Sequence, residues 1–168
     1  MIKEFYISLF RFILLILLQI YLFNNIQFSG FINPYPYLLF ILLLPLDIPG
    51  WFLLVLGFIT GITIDIFSHT IGMHTTATVL LAFLRPNILR IISPRDGYEA
   101  GSRPTIAFFG FQWFIRYITI LVFVHHLILF YAEAFTFSSF FSTLLRVLLS
   151  TLFTLLVIVL SQYLFAKK

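Results

Sequence analysis

The sequence predicts an all-α fold: a polytopic membrane helical bundle with six transmembrane helices, built as a single integral membrane domain over residues 1–168. Three observations predict it. First, 61% of the 168 residues are hydrophobic and only 10% are charged, whereas a soluble domain carries about a quarter. Second, apolar runs recur along most of the chain, many of them of membrane-crossing length. Third, the cations are segregated. Lys3 and Arg11, then Arg85, Arg90, Arg95 and Arg103, then Lys167 and Lys168 form three groups that six spans bring to one side. The connections over 24–30, 68–70 and 133–139, on the other side, hold no Lys or Arg. The positive-inside rule makes the basic side the cytoplasm and places both termini there. An odd number of spans would separate the termini and spoil this segregation.

The first span is expected over 5–23, with Arg11 near enough to its start to snorkel. The apolar run 12–23 is followed by Asn24-Asn25 rather than a small-x-small cleavage site, so it is expected to stay in the protein. The second span, over 31–46, is short; it opens with Asn33-Pro-Tyr-Pro-Tyr37 and closes at Pro45. Prolines suit a first turn, whose amides lack helical partners anyway. The third span covers 51–67 and the fourth 71–84, running on to about residue 92. The fifth lies within 105–131 and the sixth within 140–166. At about 1.5 Å per residue, roughly 20 residues cross the hydrocarbon core. The longest polar stretch, 93–103, has turn signals at Pro94 and Asp96-Gly97 and reads as a cytoplasmic loop. The absence of cysteine excludes disulfides and thiolate chemistry.

Polar residues inside apolar helices carry the most information. Gly57, Gly61, Asp65 and His69 are spaced four apart and form one helical stripe. Glycines four apart let two helix backbones approach closely, and the facing helix belongs either to a partner or to this chain. Aspartate in a span is costly, so Asp65 is expected to be an electrostatic or hydrogen-bonding anchor near the outer end, with Arg146 of the sixth span as the candidate partner. His69 and His74 flank a turn containing Gly72, and their spacing matches no zinc signature. His125 and His126 are adjacent, point about 100° apart on a helix, and are expected at the outer interface. The basic cluster around Arg85–Arg103 suits topology, anionic lipid or a cytoplasmic protein. Neither a catalytic serine-histidine-acid set nor a carboxylate pair nor a glycine-rich phosphate cradle stands out, and the basic residues are too few and too near the bilayer for nucleic acid.

Residues 45–86 read PLDIPGWFLLVLGFITGITIDIFSHTIGMHTTATVLLAFLRP. This stretch resembles the rod shape-determining protein MreD family of bacterial inner membranes. The matching elements are a glycine-bearing span ending in an aspartate (Gly57, Gly61, Asp65), a short turn with Gly72-Met73-His74, and a long apolar helix closing at Arg85 and Pro86. The likeness is specific over 57–86 and rests on hydropathy and the six-span plan elsewhere. His69 departs from it, because the family turn more often has a small residue there.

The resemblance implies a non-enzymatic scaffold of the cell-shape and peptidoglycan-elongation machinery in the inner membrane, with no cofactor. Its implied partners are a single-span MreC-like protein, membrane lipids and, through the complex, an MreB-like filament, a RodA-like glycosyltransferase and a transpeptidase. The family is also similar in fold to the six-helix substrate-binding subunits of energy-coupling-factor vitamin transporters, which keeps a small-molecule-binding transporter subunit as the alternative. Helix-contact or partner-interface candidates are Gly57, Gly61, Asp65, Gly72, His74, Arg85 and Arg146.

Overall fold

The computed structural model describes residues 2–26, 32–99, 101–135 and 139–165. Parts of two outer connections expected above (27–30 and 136–138), together with Lys167 and Lys168, lie outside them. Among the described residues the regular elements are helices, with no β-strand. Helix α1 spans Ile2–Tyr21, α2 Leu39–Leu42, α3 Gly50–Ser68, α4 Met73–Ile91, α5 Ile106–Phe109, α6 Phe111–Ala134 and α7 Phe140–Phe165. Four helical stretches, Tyr6–Asn25, Gly50–Ser68, Phe111–Ala134 and Phe140–Leu164, are long and apolar enough to cross a bilayer. The chain is therefore a helical membrane protein.

Helix α3 turns back on α4, α4 packs on α6, and α6 packs on α7. Contacts between Arg85 and Tyr117, and between Thr78 and His125, run α6 antiparallel to α4. Those between His126 and Thr154, and between Glu133 and Arg146, run α7 antiparallel to α6. One end of the bundle thus gathers Asp65, Glu133 and Arg146, and the other gathers Arg85, Pro45 and Trp113. Helix α4 lies between α3 and α6. It equals α3 in length, but its threonines, Arg85, Asn87 and Arg90 make it much less apolar. Gly110 joins α5 to α6 at φ 80°, a left-handed conformation that strains any residue with a Cβ.

The region expected as the second span takes another form. Residues 36–38 make one 3₁₀ turn and α2 is a single turn, after which the chain continues without helix to Gly50. Pro34 and Pro36 supply no amide donors, and each disfavours helix in the residue before it. Hydropathy predicts a short membrane span over 31–46. Residues 35–44 are buried throughout. Irregular backbone at membrane depth requires this cover, because hydrocarbon offers its polar groups no partners. The Tyr37 hydroxyl lies beside His74 and Thr78, and the Leu44 carbonyl beside Arg85. Those α4 positions are roughly 15 Å apart at 1.5 Å per residue, so residues 37–44 alone descend through about half the core thickness.

Candidate functional site

Asp65 organises the turn between α3 and α4. Its main-chain oxygen accepts from Thr70 N at 3.1 Å and also from the amide of His69, closing α3. His69 itself is exposed and left-handed, at φ 54°. The Asp65 carboxylate meanwhile opens α4. Oδ1 accepts from Thr70 Oγ1 at 2.6 Å and His74 N at 3.0 Å, while Oδ2 accepts from Thr75 N at 2.9 Å and Thr75 Oγ1 at 2.6 Å. The N-cap residue is Gly72, at φ 73°, which has no side chain to cap with. Asp65 does this from the preceding helix, placing negative charge where the first amides of α4 point.

The two glycines of the stripe face the same helix. A Cβ on Gly61 would overlap Thr75 Cα and lie 2.9 Å from both His74 O and Thr75 N. One on Gly57 would lie 3.0 Å from Ala82 Cβ and 3.3 Å from Thr78 O. The close helix contact is thus made with α4 of this chain, and Asp65 fixes its end.

Arg146 does not pair with Asp65. Its Nη1 lies 2.9 Å from Glu133 Oε2, and its guanidinium stacks 4.2 Å from the Phe130 ring centroid. With the Asn33 amide turned to present its oxygen, Nη2 donates to it at 2.8 Å. The reason is local: all four donors around Asp65 come from the ten residues after it, leaving its acceptor sites occupied. Glu133, read from the sequence as a loop residue, sits on the last turn of α6 and meets Arg146 there.

His125 and His126 are fully buried, not interfacial. His126 Nδ1 lies 2.7 Å from Val122 O; a carbonyl only accepts, so Nδ1 carries the proton. His126 Nε2 then accepts from Thr154 Oγ1 at 3.2 Å, and that oxygen accepts Tyr35 N–H at 3.0 Å. His125 faces the Tyr37 hydroxyl, which lies 2.9 Å from His125 Nε2, 3.1 Å from Thr78 Oγ1 and 3.4 Å from His74 Nδ1. His125 Nδ1 has no hydrogen-bond partner. Three histidines and two tyrosines therefore form one polar core inside an apolar bundle. Sequence reading missed this cluster. Two signals could have found it: the Tyr35 and Tyr37 pair in the proline-rich opening, and adjacent histidines deep in an apolar run. Among the described residues, no group of three or more His, Cys, Asp or Glu side chains could hold a metal ion.

Above this core, at the Asp65 end, is a polar cavity of about 250 Å³ whose lining includes Asn24, Asn33, Tyr35, His74, Glu133 and Arg146.

Arg85 does not belong to the loop cluster. It lies within α4 and is 1% exposed. Nε donates to Tyr117 Oη at 2.8 Å, Nη2 donates to Leu44 O, and Nη1 and Nη2 reach Pro45 O at 3.4 and 3.3 Å. The Tyr117 hydroxyl in turn donates to Leu42 O at 2.9 Å. These are carbonyls that the single turn of α2 leaves without helical partners. Arg85→Leu is expected to lower stability by about 3 kcal/mol or more, since buried acceptors lose charge-assisted bonds. Arg85→Lys, with fewer directed donors, should fall between. Unfolding in mixed detergent and SDS measures both; a wild-type curve for Arg85→Leu would refute the assignment. At the same end, Tyr98 Oη donates to Leu89 O at 2.7 Å, and partial burial raises its pKa.

No protein-family model, curated protein or solved structure matches the chain.

Proposed function

We propose that this chain is a non-enzymatic, MreD-like scaffold of the bacterial cell-shape and peptidoglycan-elongation machinery. It lies in the inner membrane with both termini in the cytoplasm. In this reading α4 and the buried segment add two crossings to the four apolar helices, giving six, in the manner of energy-coupling-factor substrate-binding subunits. The observation that supports it is the use of the quoted motif. Gly57, Gly61, Asp65 and Arg85 are all spent on holding α3, α4 and the buried segment together, so none presents chemistry to a substrate. What faces outward is apolar, including Leu145, Leu148, Leu152 and Leu156 on α7 and Phe10, Ile13 and Leu17 on α1. A single-span MreC-like partner docks against such faces, and the filament, glycosyltransferase and transpeptidase join through the complex.

The test is in-cell crosslinking from a photoreactive residue at Leu152 or Ile13, with Leu53, which is buried, as control. Adducts with a single-span wall-synthesis protein from either outward position, and none from Leu53, are expected. Unaltered rod shape after depletion of this protein would overturn the reading. Reporter fusions at Lys168 and beside Arg95 check the topology.

The polar cavity favours a second reading, a small-molecule-binding transporter subunit. Buried Tyr35 and His74 line the cavity together with Asn24, Asn33 and the partly exposed Arg146–Glu133 pair. A defined small-molecule mass released from purified protein by denaturation would favour this reading over the scaffold.

A further inference from the structure

A crevice opens sideways between α1 and α3 toward the Arg85 end. It encloses about 390 Å³, and its walls include Phe12, Phe40, Leu44, Phe52 and Leu56. Two non-apolar residues line it, Ser8 and Arg103. The bond from Leu46 N to Ser102 O at 3.1 Å ties the loop that carries Arg103 to the end of the buried segment.

A space of this kind beside lipid does not stay empty, because its walls would forfeit dispersion contacts, and water finds too few polar partners there. The walls also argue against a docked helix. Close helix contacts in membranes favour small residues, as at Gly57 and Gly61, and these walls are aromatic or branched. A flexible hydrocarbon chain suits them. The charge decides which kind. Among the described residues, Arg103 is the single charged residue in the lining, and the exposed Arg90 and Arg95 stand on the same loop side of the bundle. Asp47, Asp96 and Glu99 are exposed nearby in the chain but do not line the crevice. A guanidinium has five N–H donors in a geometry that fits phosphate, and it can share them between protein and ligand. Basic pockets between membrane helices bind anionic head groups.

We propose that this crevice is a binding site for an anionic glycerophospholipid, with one acyl chain between α1 and α3 and the phosphate on Arg103. The site does not depend on the scaffold reading.

Full-length protein in mild detergent is offered equimolar phosphatidylglycerol and phosphatidylcholine, and bound lipid is counted by native mass spectrometry. The wild type is expected to prefer phosphatidylglycerol by about fivefold, the effect of one arginine near an anionic surface. Arg103→Gln should bring the ratio close to one, and Arg103→Lys should restore part of it. Ser8→Trp, which fills the crevice, should reduce retention of both lipids. Equal retention of the two lipids by the wild type overturns the proposal without any variant. So does a preference that survives both Arg103→Gln and Ser8→Trp in protein with unchanged melting, or a crosslink placing a partner helix in the crevice.

Discussion

Gly61→Ala will destabilise the protein by about 2 kcal/mol, although alanine is the better helix former by about 1 kcal/mol. The reversal of sign is what makes the experiment informative. The added Cβ meets backbone, Thr75 Cα, with His74 O and Thr75 N both at 2.9 Å. Backbone cannot swing aside as a long side chain can, so α3 and α4 must separate. Separation also stretches the bonds from Asp65 to the start of α4. Gly61→Leu should fail to give a monodisperse protein. Gly57→Ala meets a methyl group and a carbonyl at 3.0 and 3.3 Å and should lose less than half as much. Equal melting temperatures for wild type and Gly61→Ala would show that α3 and α4 are not in backbone contact.

Asp65→Ala is expected to be more damaging still, at about 3 kcal/mol or more, because hydrogen bonds to a charged acceptor are worth more than neutral ones and four are lost together. Two of the four donors are the His74 and Thr75 amides at the start of α4, and two are threonine hydroxyls. Asp65→Asn should be intermediate. Its oxygen still accepts, while its NH₂ faces groups that also donate. A double-mutant cycle locates the partnership. Asp65→Asn with Arg146→Gln should be additive within about 0.5 kcal/mol. Glu133→Gln with Arg146→Gln should not, because those side chains are in contact. Coupling in the first pair and none in the second would contradict the pairing described here.

The sequence made the local features legible. The four-residue spacing of Gly57, Gly61 and Asp65 identified one helix face, because that periodicity depends only on helix geometry. Helices α3, α6 and α7 announced themselves because a lipid-facing helix must be apolar over its whole length. Harder to read were features decided by distant chain. A window over 31–46 cannot distinguish a lipid-facing helix from irregular backbone enclosed by protein, since both are apolar. The prolines at 34 and 36 were the available hint. The burial of His125 and His126 is made tolerable by Tyr37 and Thr154, which are far away in sequence. Arg146 was matched to Asp65 on depth alone; its true neighbour required knowing that α6 continues to Ala134.

The enclosed segment also constrains how the protein is made. Synthesis delivers Asn33 and Leu44 well before the groups that answer them: Arg85 follows Leu44 by 41 residues, and Ser150 follows Asn33 by 117. A stretch whose carbonyls and amides have no partners yet cannot rest in hydrocarbon, where each bare group costs several kcal/mol. It must wait in a wet environment, at the head-group layer or inside the insertion machinery, while the later helices arrive. Biogenesis of this protein is therefore not a succession of independent helix insertions. One stretch emitted early is threaded late, and truncated nascent chains ending before α7 should leave it accessible to water-soluble reagents.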